Sequence, residues 1–126
     1  MRAPLAQLEF DQEDEAVVVG RVIGDLESAN ADELRDALVR RLRNDSAGLV
    51  LDLSATAYLD SAAIELLFDL ARRLRTHRQR LRLVLPPKAP MHGVLTFCGI
   101  DTVVEIDETT EAAVREMRAE RDDSQA

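Results

Sequence analysis

The chain has 126 residues, of which 46% are hydrophobic and 32% charged, and its formal net charge at pH 7 is −8. This length fits one compact domain, and no apolar run approaches the ~20 residues that span a bilayer. The acidic balance argues against a nucleic-acid ligand, because such binding depends on a basic surface, and it disfavours insertion into anionic membranes. The first residues also lack the apolar stretch of a secretory signal, which predicts a cytoplasmic protein.

The cysteine and histidine content limits the chemistry that the chain can carry. Cys98 is the only cysteine, which excludes an internal disulfide and agrees with a reducing compartment. It lies in an apolar stretch without a basic neighbour, so the sequence predicts a buried, unreactive thiol. His77 and His92 have no Cys, His or carboxylate neighbours at a recurring metal-ligand spacing, so no metal site is predicted.

The first half of the chain alternates between strand and helix patterns. A weak strand pattern over residues 5–10 is followed by an acidic turn and by residues 16–23, which are β-branched almost throughout. Apolar residues then recur at helical spacing, which predicts a helix from Ala31 to Arg43 with Asn30 at its start. Residues 49–53 are almost continuously apolar, as in a strand buried on both faces.

The second half repeats this alternation. Asp60 or Ser61 is a good N-cap for a helix whose apolar stripe runs from Ile64 to Leu74. The remaining predicted elements are a strand over 81–85, a short helix over about 90–98, a strand over 103–106 and a helix from 109 through Met117.

This order predicts a single α/β domain over residues 1–120 and a frayed polar tail over 121–126. Alternating elements of these lengths favour a mostly parallel mixed sheet of four or five strands, with an antiparallel edge and about four helices packed on it. Gly20 and Gly24 lie within and at the end of a strand instead of opening a helix. They therefore do not form a phosphate-binding loop, and we expect a strand irregularity and a turn.

The sequence lacks the combinations of residues that an enzymatic function at Ser61 or Asp52 would require. Nucleophilic catalysis at Ser61 would need a positioned base, yet neither histidine can be assigned to it, and no Gly-x-Ser-x-Gly elbow is present. Asp52 invites comparison with the phosphoacceptor aspartate of response-regulator receivers. That family also has an acidic pair after its first strand and a lysine after its last, whereas Lys88, the only lysine, lies in a proline loop.

Residues 72–82 form the only strongly basic segment. We interpret them as a solvated helix end and loop rather than a nucleic-acid contact, because no aromatic side chain interleaves them to stack on bases.

Two neighbouring segments resemble a known family. Residues 49–54, Leu-Val-Leu-Asp-Leu-Ser, and 58–67, Tyr-Leu-Asp-Ser-Ala-Ala-Ile-Glu-Leu-Leu, strongly resemble the STAS domain. This family comprises bacterial anti-sigma factor antagonists and also supplies cytoplasmic domains of sulfate transporters. Gly-Asp-Leu-Glu at 24–27 is similar to the family's Gly-Glu-Leu-Asp turn, and residues 95–100 are similar to its Leu-x-x-x-Gly-Leu segment. The resemblance covers nearly the whole chain and implies a STAS-like fold.

In the antagonists, the serine that directly follows the aspartate of the Asp-Ser signature accepts phosphate from a kinase that is itself the anti-sigma factor. The unphosphorylated antagonist binds this kinase and frees the sigma factor. The resemblance therefore implies that Ser61 is the phosphorylation site, that an anti-sigma factor with serine kinase activity is the partner, and that a serine phosphatase resets the switch. It implies no cofactor. The implied partner-binding residues are Glu27, Ser54, Asp60, Ser61 and Ala62.

The chain departs from the antagonist pattern at three positions. Ala62 and Ala63 replace the usual Ser or Thr and Gly, and Glu27 stands where the family usually has an aspartate. A helix start does favour an added phosphate, although Asp60 and Ser61 could also serve only as helix caps. The favoured hypothesis is a phosphorylation-switched antagonist. The alternative is a non-phosphorylated STAS scaffold in a stress-signalling or transport complex, and a true enzyme is the weakest interpretation.

Overall fold

A five-stranded sheet runs through the centre of the computed structural model, which describes residues 6–11 and 16–125, with side chains up to Asp122. The strands are β1 (Gln7–Asp11), β2 (Val17–Ile23), β3 (Gly48–Ala55), β4 (Arg80–Val84) and β5 (Glu105–Asp107). The helices are α1 (Ser28–Arg41), α2 (Ser61–Thr76), α3 (Pro90–Phe97) and α4 (Thr110–Gln125), with a 3-10 turn at Ile100–Thr102.

The strands lie in the sheet in the order in which they occur in the sequence. β1 pairs antiparallel with β2, and every other neighbouring pair is parallel. This confirms the predicted mostly parallel sheet with an antiparallel edge. The parallel strands all end on one side, at Ile23, Ala55, Val84 and Asp107, and we call this side the carboxyl edge. The segments that enter α1 and α2 leave from it.

The two faces of the sheet are covered differently. On one face, alternate residues of the strands pack against α1, α2 and α3 and form the main core, which is rich in leucine. On the other face, a smaller cluster of Val17, Val19, Val50 and Val84 packs against Ala113 and Met117 of α4. The continuous apolar run of β3 follows from this arrangement, because both of its faces are covered.

Several element boundaries differ from the sequence-based prediction. α1 begins at Ser28, three residues before the predicted start at Ala31. Asn30 therefore lies in the first turn of the helix, where its Oδ1 accepts a hydrogen bond from the Glu27 N–H at 2.9 Å. Strand β5 begins at Glu105 and not at Val103, because the N–H groups of Val103 and Val104 donate back to the Ile100 carbonyl and close the 3-10 turn at Ile100–Thr102. Helix α4 continues to Gln125, so the frayed tail predicted from residue 121 is helical up to that residue. The domain boundary at residue 120 stays a prediction.

The prediction of a buried Cys98 is wrong, because this thiol is exposed. α3 buries Met91 and Leu95, which lie four residues apart and therefore share one face of the helix. The stretch around Cys98 is apolar, but Phe97 and Val94 point to solvent, and Phe97 is 93% exposed. Apolar composition therefore did not indicate which face of this short helix is covered.

Gly20 and Gly24 have distinct structural roles. Gly24 has a φ of 103°, which fits the predicted turn. Gly20 lies in the regular part of β2, and the register shift occurs after it, between Arg21 and Ile23. A Cβ at Gly20 would lie 3.0 Å from Leu38 Cδ2, so this glycine allows α1 to pack closely on the sheet.

Candidate functional site

The entries to α1 and α2 are joined at the carboxyl edge by backbone hydrogen bonds. The Leu26 N–H donates to the Tyr58 carbonyl at 3.0 Å, and the Asp60 N–H donates to the Leu26 carbonyl at 3.2 Å. Leu26 and Leu59 form a parallel bridge, and both side chains are buried. These contacts hold the first turns of the two helices side by side.

One carboxylate caps both helices. Of the two predicted candidates, Asp60 is the N-cap of α2, and its Oδ1 accepts a hydrogen bond from the Ala63 N–H at 2.9 Å. Its Oδ2 accepts a second hydrogen bond from the N–H of Ser28, the first residue of α1, at 2.8 Å. The sequence carried no signal for this second bond, because Ser28 and Asp60 are 32 residues apart.

Ser61 is the first residue of α2, and it is exposed. The first N–H groups of a helix have no acceptor within the helix, and among the described residues the side-chain cap of α2 reaches only Ala63. The amides of Ser61 and Ala62 therefore remain open toward an anion at this end of the helix. Ala62 is half-buried and Ala63 is fully buried, so the methyl group at position 63 packs in the core.

The structure brings together four of the five residues implied as partner-binding. Glu27 is the half-buried N-cap of α1 and adjoins Ser28, whose amide Asp60 binds; Ser61 and Ala62 follow Asp60 directly. Ser54 is exposed near the end of β3, at the same edge, but its N–H donates to Asp52 Oδ1 at 2.9 Å. Because side chains alternate along a strand and Leu53 belongs to the main core, Ser54 shares with Asp52 the side of the sheet that α4 covers.

Asp52 occupies a structural position. Its Oδ2 accepts a hydrogen bond from Thr110 Oγ1 at 3.2 Å, and it lies 4.0 Å from Arg21 Nε. The carboxylate thereby ties the start of α4 to the sheet. Lys88 is exposed in the loop that precedes α3.

The basic segment lines a cleft of about 490 Å³ at the amino ends of β4 and β5, opposite the carboxyl edge. Half of its six arginines form ion pairs within the part of the fold that the structure describes. Arg72 pairs with Asp69, Arg80 pairs with Glu120, and Arg82 is buried between carboxylates. The interpretation as a solvated helix end therefore does not extend to Arg82, which belongs to the interior.

Neither a metal-binding cluster nor a bilayer-spanning helix occurs in the part of the chain that the structure describes. In that part, no three His, Cys, Asp or Glu side chains converge as a metal site would require. None of its helices has both the length and the apolar content needed to cross a bilayer.

Because the Asp60 carboxylate accepts hydrogen bonds at the starts of two helices, we expect it to contribute measurably to stability. Asp60→Ala removes acceptors from two amides, so we expect it to lower the free energy of unfolding by about 2 kcal/mol. Thr109→Ala is a matched control, because among the described residues Thr109 Oγ1 accepts a hydrogen bond from one amide, the Ala112 N–H at the start of α4. Urea unfolding followed by circular dichroism measures both variants. Equal losses for the two substitutions would contradict a double role for Asp60.

Solved structures share this fold. An anti-sigma factor antagonist from Mycobacterium paratuberculosis matches with a TM-score of 0.78 at 23% identity, over 94% of this chain and 99% of that chain. The anti-sigma factor antagonist SpoIIAA in its unphosphorylated form matches with a TM-score of 0.73 at 18% identity, over 90% and 97% of the two chains. The murine anion transporter Slc26a9 matches with a TM-score of 0.74 at 19% identity, over 86% of this chain but 18% of that chain.

The sequence itself also matches a family model, that of the STAS domain, over residues 8–113. The match includes β2, α1, β3 and α2 in full, and with them the junction between the two helix starts. The chain belongs to the STAS domain family.

Proposed function

We propose that this protein is a cytoplasmic anti-sigma factor antagonist. It binds an anti-sigma factor that has serine kinase activity, and phosphorylation of Ser61 by this partner ends the interaction. Binding would occur at the carboxyl edge, through Glu27, Asp60, Ser61 and Ala62 at the two helix starts and through Ser54 near the end of β3. A serine phosphatase would restore the binding form. The chain would act as a regulatory binding module, without a cofactor and without catalysing a reaction itself.

The single observation that carries this proposal is the position of Ser61. Its side chain is exposed on the first turn of α2, where open N–H groups and the helix dipole favour a negative charge. A phosphate there would add about −1.5 to −2 charges without disrupting the helix. Two of the proteins with similar structures are anti-sigma factor antagonists. One of them, SpoIIAA, has solved structures in its unphosphorylated and its phosphorylated form.

Phosphate transfer can be tested directly. The full chain is incubated with ATP and each candidate kinase encoded in the same genome, and its intact mass is measured. We expect one added phosphate on the wild type and none on Ser61→Ala. A phosphate that persists on Ser61→Ala would show that the site assignment is wrong.

The effect of charge on partner binding gives a second prediction. Ser61→Glu places a negative charge at the proposed interface, and we expect it to weaken binding of the kinase about 10- to 100-fold, through like-charge repulsion and desolvation. Thr76→Glu is the matched control, because Thr76 is exposed at the other end of the same helix. Isothermal titration calorimetry measures both variants. Equal weakening by both would point to a general effect of net charge.

A second candidate function is a STAS scaffold that is not phosphorylated. It is favoured by Ala62 and Ala63, which replace the Ser or Thr and the Gly of the antagonist pattern, and by the structural likeness to part of an anion transporter. Stable binding to a partner kinase, combined with no phosphate on the wild type under any of the tested conditions, would favour the scaffold over the antagonist.

A further inference from the structure

The carboxylate of Asp60 is shared between two helices that the proposed phosphate would affect. It binds Ala63 within its own helix and Ser28 at the start of α1. Ser61 directly follows Asp60, so a phosphate on Ser61 would be attached to the neighbouring residue. The two anions would compete for the same group of helix N–H donors.

We propose that Asp60 transmits the phosphorylation state of Ser61 to the first turn of α1. Phosphorylation breaks the hydrogen bond between Asp60 and Ser28, so that the partner recognises a changed surface at Glu27 and Ser28 as well as at Ser61. This inference rests on the proposed function, and it assigns Asp60 the role of a positioning residue.

The two hydrogen bonds of Asp60 differ in how easily they can be broken. The bond to Ala63 is partly buried and joins residues that are three positions apart in the sequence. The bond to Ser28 is exposed and joins separate segments of the chain. Repulsion between neighbouring anions therefore acts first on the bond to Ser28, because water can replace Asp60 there at little cost.

The change would stay local, since other contacts hold the junction. The backbone hydrogen bonds of Leu26 with Tyr58 and Asp60, and the buried pair of Leu26 and Leu59, do not involve the Asp60 carboxylate. The Glu27 N–H also keeps its acceptor, Asn30 Oδ1. Phosphorylation would thus free the Ser28 amide while the rest of the fold is preserved.

The test uses the full chain with phosphoserine incorporated at position 61 during translation, so it needs no kinase. Amide chemical shifts and hydrogen exchange are measured by NMR. We expect the Ser28 amide proton to shift upfield and to exchange at least about tenfold faster, whereas Ala63 stays protected. A chain with phosphoserine at Ser54 provides a control of equal charge near the same edge. An unchanged Ser28 amide in the phosphoserine-61 chain would overturn the proposal.

The variant Asp60→Asn tests whether Asp60 transmits the phosphorylation state of Ser61 or has only a structural role. An asparagine side chain has one acceptor oxygen, so it cannot bind both amides as the carboxylate does. We expect the Ser28 amide to be open already in Asp60→Asn and phosphoserine at 61 to cause no further change. A further acceleration of similar size in this variant would show that the phosphate acts without Asp60. If kinases fail to modify Ser61 but this test succeeds, the proposed function fails while the coupling is retained.

Discussion

Replacing Arg82 by alanine is expected to lower the free energy of unfolding by about 3–5 kcal/mol, because the substitution leaves the carboxylate of Asp107, whose side chain is only 12% exposed, without the counter-charge of Arg82. Arg82 is 6% exposed. Its Nε and Nη2 donate to the two carboxylate oxygens of Asp107, at 2.7 and 3.0 Å, and its Nη1 donates to Glu120. The guanidinium therefore joins β4, β5 and α4.

The measurement is urea unfolding of the wild type and Arg82→Ala, followed by circular dichroism. Arg75→Ala is the matched control, because Arg75 is exposed and forms no salt bridge with any described residue. We expect the control to change the free energy of unfolding by less than about 0.5 kcal/mol. A loss below about 1 kcal/mol for Arg82→Ala would contradict the inference that this network holds α4 on the sheet.

The contribution of Arg82 should not change with its own protonation at ordinary pH. Hydrogen bonding to Asp107 raises the pKa of the Arg82 guanidinium, burial lowers this pKa, and the nearby carboxylates raise it, so that the result is a pKa above the usual value. Stabilisation by a group whose pKa is raised on folding is complete below the unfolded-state pKa and is lost only as pH rises through the folded-state pKa. That range is strongly alkaline, so the loss caused by Arg82→Ala should persist through neutral and moderately alkaline pH.

Gly48→Ala is expected to destabilise the protein by about 3 kcal/mol or more. Gly48 begins the central strand β3 and is in register with Val17 on one side and Arg80 on the other. A Cβ at position 48 would lie 2.0 Å from the Arg80 carbonyl oxygen and 2.8 Å from the Arg80 N atom. Because these are backbone atoms, the clash can be relieved only by shifting β3 against β4.

Gly93→Ala is the matched control for this prediction. Gly93 lies within α3, it is exposed, and a Cβ there would meet no atom within 4 Å. Alanine has the higher helix propensity, so this substitution should stabilise the protein by about 0.5–1 kcal/mol. Thermal and urea unfolding of the two variants should therefore shift in opposite directions. A Gly48→Ala variant as stable as the wild type would show that β3 and β4 are less closely fixed at this end.

The order of the strands and helices could be predicted from local patterns of apolar and polar residues in the sequence. The continuous apolar run of β3 and the helical spacing after Asp60 predicted a buried strand followed by an amphipathic helix, and both predictions are confirmed. The N-cap at Asp60 was also readable, because a cap joins a side chain to an amide only three residues away. Such signals are short-range, so they appear in the sequence itself.

Contacts between residues that are distant in the sequence could be identified only from the tertiary structure. Asp60 reaches Ser28 only because the bridge between Leu26 and Leu59 aligns the two helix starts. Arg82, which interrupts an apolar run in the sequence, is buried because β5 and α4 bring two carboxylates to it. Cys98 is exposed because α3 turns a different face toward the core. The sequence by itself determined the fold class, the STAS resemblance and the helix start at Asp60 and Ser61. Only the packing of distant segments decided that this helix start shares a carboxylate with α1, because that bond depends on strand pairing and not on neighbouring residues.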